Sequence, residues 1–156
     1  MDLPQKQQLS LTQSNLLERM LAKYPLISQR KSSVPSLKEA VKTRDLQLSV
    51  IDAKVKENVT ALWLRIQLVD MLRFCGAFDA ACELQVIVLA RQIRSKYFYL
   101  TPTELTFFFE SFVGGVYGTL YVGKTINPQV VMQAMRVFDG EVINKRAELE
   151  GEINDR

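Results

Sequence analysis

Gly118-Thr119-Leu120-Tyr121-Val122-Gly123-Lys124-Thr125 spells G-x-x-x-x-G-K-T, the phosphate-binding P-loop pattern, and its reading decides the fold. A working P-loop leaves a β-strand, cradles phosphates with backbone N–H groups and opens straight into a helix, which demands an α/β core. Three features speak against that here. Asn127-Pro128 is itself a helix start, with Asn as N-cap and Pro at the first helical position, so the helix begins beyond Thr125 and its N–H groups miss the loop. Leu120, Tyr121 and Val122 are bulky or β-branched where the loop must wrap tightly. Only 31 residues follow Thr125, too few for the parallel strands that would bring a Walker-B carboxylate. Nucleotide binding by Gly118, Gly123, Lys124 and Thr125 is therefore disfavoured, and no cofactor is expected.

Outward from the glycines the signals are helical. Thr101-Pro102-Thr103-Glu104 combines an N-cap Thr, Pro at the first helical position and Glu three residues after the cap. Behind it, Leu105, Phe108, Phe109 and Phe112 follow a helical period until Gly114-Gly115. On the other side, the helix opened by Asn127-Pro128 presents Val131, Ala134, Met135, Phe138 and Val142, then turns polar with Glu141/Lys145 and Arg146/Glu150 at i, i+4. Between these two helices, Val116-Tyr117 and Leu120-Tyr121-Val122 flank Gly118 and predict a tight turn or small hairpin.

Further upstream, Leu16, Leu17, Met20, Leu21 and Tyr24 predict a helix over about 12–23, ended by Pro25. Residues 28–35 are loop by composition, and Ser36-Leu37-Lys38-Glu39 is a capping box opening a short basic helix. Residues 45–57 fit either a strand or a helix. Val59, Leu62, Trp63, Ile66, Val69 and Leu72 predict one apolar face up to Gly76. Asp79 then caps a helix containing Leu84, Ile87, Val88 and Ile93.

The fold expected is mainly α, a compact multi-helix single domain with a short glycine-rich β-prone loop or hairpin. Its parts are an N-terminal helix and basic linker (1–35), a helical core (36–150) and a frayed tail (151–156). The expected core is Trp63, Ile66, Leu72, Ile87, Phe108, Phe109, Phe112, Val131, Met135 and Phe138. At 156 residues, 47% hydrophobic and 24% charged, the chain has the size and balance of one globular domain. The uncharged stretch Ser111–Gly123 has only 13 residues, four of them Gly, against the ~20 apolar residues a membrane span needs. Met1-Asp2-Leu3-Pro4-Gln5-Lys6 has no apolar core of a secretory signal, so a cytoplasmic, non-membrane protein is expected.

The chain has no histidine, which removes the commonest general base, metal ligand and pH switch together. Cys75 and Cys82 match no zinc or redox spacing and read as small buried hydrophobes. No catalytic or metal residues are assigned and no enzymatic activity is expected. Charge is uneven: residues 1–101 carry 15 Lys/Arg against 9 Asp/Glu, and residues 102–156 carry 5 against 8. Arg19, Lys23, Arg30, Lys31, Lys38, Lys42 and Arg44 face a single acid, Glu39, in their stretch. Such a segment suits phosphate-backbone contact, because Lys and Arg gain affinity by releasing counterions; the alternative is a solvated arm. Aromatics do not alternate with these cations, so base stacking is not indicated. Phe107 lies off the helical stripe and is a candidate exposed contact. Tyr117 and Tyr121, on a glycine-rich loop, either anchor a protein partner or lid the core beside Phe112.

A resemblance appears at these same positions. Ala61-Leu62-Trp63-Leu64, Ile66-Gln67-Leu68, Tyr97-Phe98-Tyr99-Leu100, Glu104-Leu105, Phe108-Phe109, Phe112, Gly115, Tyr117-Gly118, Tyr121 and Pro128 stand in an order similar to a family of short, functionally uncharacterised proteins of Bacteroides-type bacteria and their phages and mobile elements. The likeness covers roughly residues 59–146. It departs where Val122 separates Tyr121 from Gly123 and Lys124-Thr125-Ile126 precede Asn127, so the P-loop spelling looks like an insertion in a Y-G-x-x-Y loop. The resemblance implies a phage or mobile-element setting and supplies no activity to carry over. The expectation is a non-enzymatic intracellular binding or adaptor protein, acting in DNA transactions such as replication or its control. A structural helical adaptor of a phage particle and an inhibitor of host defence stay open, as do a protein partner, nucleic acid and oligomerisation.

Overall fold

In the computed structural model, which describes residues 10–43, 45–76, 83–118 and 127–154, local capping chemistry sets most helix starts. Helix α1 is Leu11–Lys23, begun by a capping box in which Ser10 Oγ accepts from Gln13 N and the Gln13 side chain accepts from Ser10 N. A 3-10 turn at Ile27–Gln29 follows, then α2, Leu37–Lys42, capped by Ser36, whose hydroxyl accepts from Glu39 N. The ambiguous 45–57 stretch is helix α3, Leu48–Val55, ended by Lys56 at φ 57°. Helices α4 (Thr60–Phe74) and α5 (Glu83–Lys96) follow. Helix α6, Pro102–Val113, starts with the expected Thr101/Glu104 capping box, and α7 is Pro128–Asn154. At the start of α7, Asn127 Oδ1 accepts from Gln129 N at 3.0 Å.

The described residues are mainly helical and contain no strand, and no helix among them is long and apolar enough to cross a membrane. The hairpin expected around Gly118 is not supported. Its described part, residues 114–118, is a turn closing α6: Gly115 N bonds Phe112 O and Val116 N bonds Ser111 O. Gly115 (φ 80°) and Gly118 (φ 103°) hold backbone angles that a side chain would strain. The turn satisfies the last carbonyls of α6 instead of offering a strand edge. Residues 119–126 lie outside the described part of the chain.

Helix α4 is the hub, packing on α1, α3, α5 and α6, while α7 rests on α2, α5 and α6. Trp63, Leu64, Leu68, Met71, Phe108, Phe109, Phe138 and Ile93 are fully buried in one cluster. Trp63 tilts against Phe109 at 5.9 Å between ring centroids, and Phe108 sits 5.3 Å from Phe138. Leu17, Met20 and Tyr24 join the same cluster, so α1 is part of the core.

Two expected faces are rotated. In α4, Gln67 and Leu68 are buried while Ile66 and Val69 are half-buried. The reason is polar: Gln67 Nε2 donates to Tyr24 O and Pro25 O at 3.1 Å, and Trp63 Nε1 donates to Tyr24 O at 3.0 Å, docking the end of α1 on α4. In α5, Val86, Leu89, Ala90 and Ile93 form the buried stripe; Ile87 is half-buried and Leu84 is 72% exposed. Helix α7 runs through Gly151 to Asn154, past the expected boundary of the core at 150. An isolated Gly costs a helix only about 1 kcal/mol and need not stop it.

Candidate binding surfaces

Among the described basic residues, Arg19 and Lys23 line one groove and Lys42 another. Arg19 and Lys23 stand one turn apart on α1, both exposed, beside an apolar groove between α1 and α3. Lys23 Nζ lies 5.5 Å from the centroid of the Tyr24 ring, a cation–π distance. Burial, with Asp45 beside the hydroxyl, holds the Tyr24 proton well above the ordinary tyrosine range. Arg30 turns inward: its Nε donates to Ser32 O at 3.2 Å and pairs with Glu110 Oε1 at 3.4 Å. Glu110 Oε2 also accepts from Val34 N at 3.2 Å, so one carboxylate on α6 clips the loop before α2 to the body. Lys31 and Lys38 are exposed. Lys42 lines a second, more polar groove between α2 and α7, where Asp45, Glu104, Glu150 and Glu152 also face. Arg44 lies outside the described residues.

The aromatic candidates are partly in the core. Phe107 is half-buried and stacks on Phe138 at 6.4 Å, with 30° between ring planes, so it is not the free surface ring expected. Tyr117 is half-buried, 5.5 Å from the Phe108 centroid, the geometry of a lid. Burial first, and the nearby Glu141 carboxylate second, raise its hydroxyl above the ordinary range. Tyr121, Gly123, Lys124 and Thr125 lie outside the described residues; Gly118 closes the turn after α6.

Three polar clamps went unread in the sequence, because their members are far apart along the chain. Glu104, 1% exposed, completes the α6 capping box and accepts from Arg146 Nη2 of α7 at 2.6 Å; Arg146 Nη2 also reaches Tyr99 O at 3.1 Å. Beside it the Tyr99 hydroxyl donates to Asp139, and burial, then that hydrogen bond, raises its pKa. Asp52 on α3 caps α4 from outside: Oδ1 accepts from Val59 N and Thr60 N at 2.9 and 3.0 Å, and Oδ2 from Arg94 Nε at 2.8 Å. Asp70 of α4 accepts from Ser28 N and Oγ, holding the 3-10 turn. The Glu104 clamp has a local half, the Thr101/Glu104 box, and the Asp52 clamp reaches Val59 and Thr60 seven and eight residues on; the partners 42 residues away, including both bonds of Asp70, leave no periodicity to read.

These clamps join helices by charge-assisted hydrogen bonds to backbone groups, and chemically that is what they can do. Cys75 is half-buried, and burial pushes its thiol pKa up, away from reactivity. Among the described residues no cluster of three or more acids and cysteines is placed to hold a metal ion. The chain matches no protein-family model, no curated protein and no solved structure.

Proposed function

We propose that this protein is a non-enzymatic intracellular binding protein, an adaptor serving the DNA transactions of a phage or mobile element. One observation carries the reading. The buried and half-buried carboxylates Glu104, Asp52, Asp70 and Glu110 are engaged by backbone N–H groups and by Arg146, Arg94 and Arg30, while the open grooves are apolar or charge-lined. Acids held this way are poor general bases, since their lone pairs are already occupied. Open surfaces of apolar floor and charged rim are the anatomy of a docking protein. The exposed Lys31 and Lys38 support contact with phosphates, and the likeness to phage and mobile-element proteins supports the setting.

Binding to single- and double-stranded DNA at low salt, followed by fluorescence anisotropy, tests the DNA arm. Affinity should fall steeply with salt, and Lys31→Ala with Lys38→Ala should shallow the slope by about one unit per lost phosphate contact. No binding at low salt would remove it. A second reading, a structural component of a particle, is favoured by an uncharged trough between α5 and α7 lined by apolar side chains and three glutamines. Leu84 and Val88 are exposed there beside Met132. A symmetric oligomer that Leu84→Lys breaks into monomers would establish that reading instead.

A further inference from the structure

We infer that the groove between α1 and α3 is the docking site for an acidic amphipathic helix of a protein partner. Its volume is about 260 Å³. Leu16 and Met20 of α1 face Ile51 and Val55 of α3 across a floor closed by Val59, and Leu46, 41% exposed, forms the lip. The charged residues on its lining are Arg19 and Lys23, both cations.

Charge identifies the occupant. Like charges at i, i+4 repel on a helix surface, and neither Arg19 nor Lys23 forms an ion pair with a described residue. Carboxylates from outside would relieve that repulsion while apolar side chains cover the floor. Shape narrows the class further. Small-molecule sites enclose about 300–1,000 Å³, so this open groove falls short of burying a whole ligand yet has room for one or two apolar anchors. Helix α3, eight residues long, offers a wall of about 12 Å, two turns of a partner helix. The described residues contain no strand, so they offer no sheet edge for an extended peptide, and an apolar groove with a cationic rim matches the two faces of an acidic amphipathic helix. Nucleic acid fits poorly, because the one aromatic ring on the lining, Tyr24, is buried and the rest of the floor is aliphatic, which leaves bases little to stack on.

The inference rests on the binding-protein reading, and its test is separable from that reading. The probe is a fluorescein-labelled, end-blocked peptide of on the order of 15 residues, with Leu at i, i+3, i+4 and i+7 and Glu on its other face. Its twin carries Lys for Glu. Anisotropy against the whole protein should show the Glu peptide binding and the Lys peptide binding at least roughly tenfold more weakly. Arg19→Glu with Lys23→Glu should weaken the Glu peptide by on the order of tenfold and reverse the preference between twins. Leu46→Ala, at an exposed lip where folding is little affected, should weaken both. Equal binding of the twins, or an affinity untouched by these three changes, would overturn the inference. So would failure of both peptides, while the DNA measurement would still judge the broader reading. Tight binding of laurate at the groove with neither peptide bound would overturn it in favour of a lipid ligand. Concentration-dependent dimerisation abolished by Leu46→Ala would do so in favour of a second copy.

Discussion

Glu110 of α6 is the acid that meets Arg30 of the basic segment. Its carboxylate holds Arg30 and the Val34 amide, so Arg30 is neutralised locally before any phosphate arrives. Lys31, one residue on, is exposed, so neighbours in sequence differ in how free their charge is. Removing the clip should have two opposed effects. Glu110→Ala should cost about 1–2 kcal/mol in urea denaturation, because the part-buried Val34 amide loses its acceptor and the Arg30 guanidinium its counter-ion. The same change frees a cation, so if DNA binds this segment, its salt slope should steepen by about one unit. A slope that stays put while stability falls would mean that Arg30 does not face the nucleic acid even when free.

At the scale of single helices, the readable starts were those whose cap lies in the same few residues. Thr101-Pro102-Thr103-Glu104 and Asn127-Pro128 could be placed from local chemistry, because donor and acceptor are two or three residues apart. Helix α4 differs: Val59, at its N-cap position, has no capping side chain, and Asp52 of the preceding helix supplies the acceptor. The faces of α4 and α5 were misjudged for a related reason. Apolar residues surround both helices, so the 3.6-residue period fits more than one stripe, and bonds such as Gln67 to Tyr24 O select among them. The Arg19/Lys23 pair was visible as charge, but the groove beside it needed α3, whose residues fitted strand and helix alike. Two caps should therefore differ in weight. Asp52→Ala should destabilise by about 2–4 kcal/mol, since it strands the buried Thr60 amide together with Arg94. Ser36→Ala, at an exposed cap of the six-residue α2, should cost only about 1 kcal/mol. Equal losses in a denaturant titration would show that Asp52 is not the start signal of α4.

At the scale of the whole molecule, the tyrosines give the fold a pH limit. Burial is the main cause that raises Tyr24, Tyr99 and Tyr117 above the ordinary tyrosine pKa. The unfolded chain therefore releases these protons at lower pH than the folded one, and stability falls as pH rises. The contribution is intact below about pH 10 and is lost progressively above it. Urea midpoints measured from pH 8 to 11 should be level and then fall, and Tyr24→Phe should make the fall shallower. A fall of the same steepness in that variant would move the titration to another group.

The same scale decides the P-loop spelling. A phosphate loop needs a strand behind it and a helix opening directly from its Lys-Thr. Here the element before Gly118 is α6, closed by its glycine turn, and α7 begins at Pro128 under its own Asn127 cap. The described chain thus enters the segment from a helix and not from a strand, and the first N–H of α7, on Gln129, lies four residues past Thr125. We therefore expect no ATP or GTP binding in isothermal calorimetry with Mg²⁺ present. Lys124→Ala should shift stability by less than about 0.5 kcal/mol, the scale usual where no core packing, cap or buried polar network is lost. Micromolar Mg²⁺-dependent ATP binding, lost in Lys124→Ala and kept in Lys31→Ala, would reverse this, because it requires a phosphate site at Lys124 itself and not a general attraction to cations.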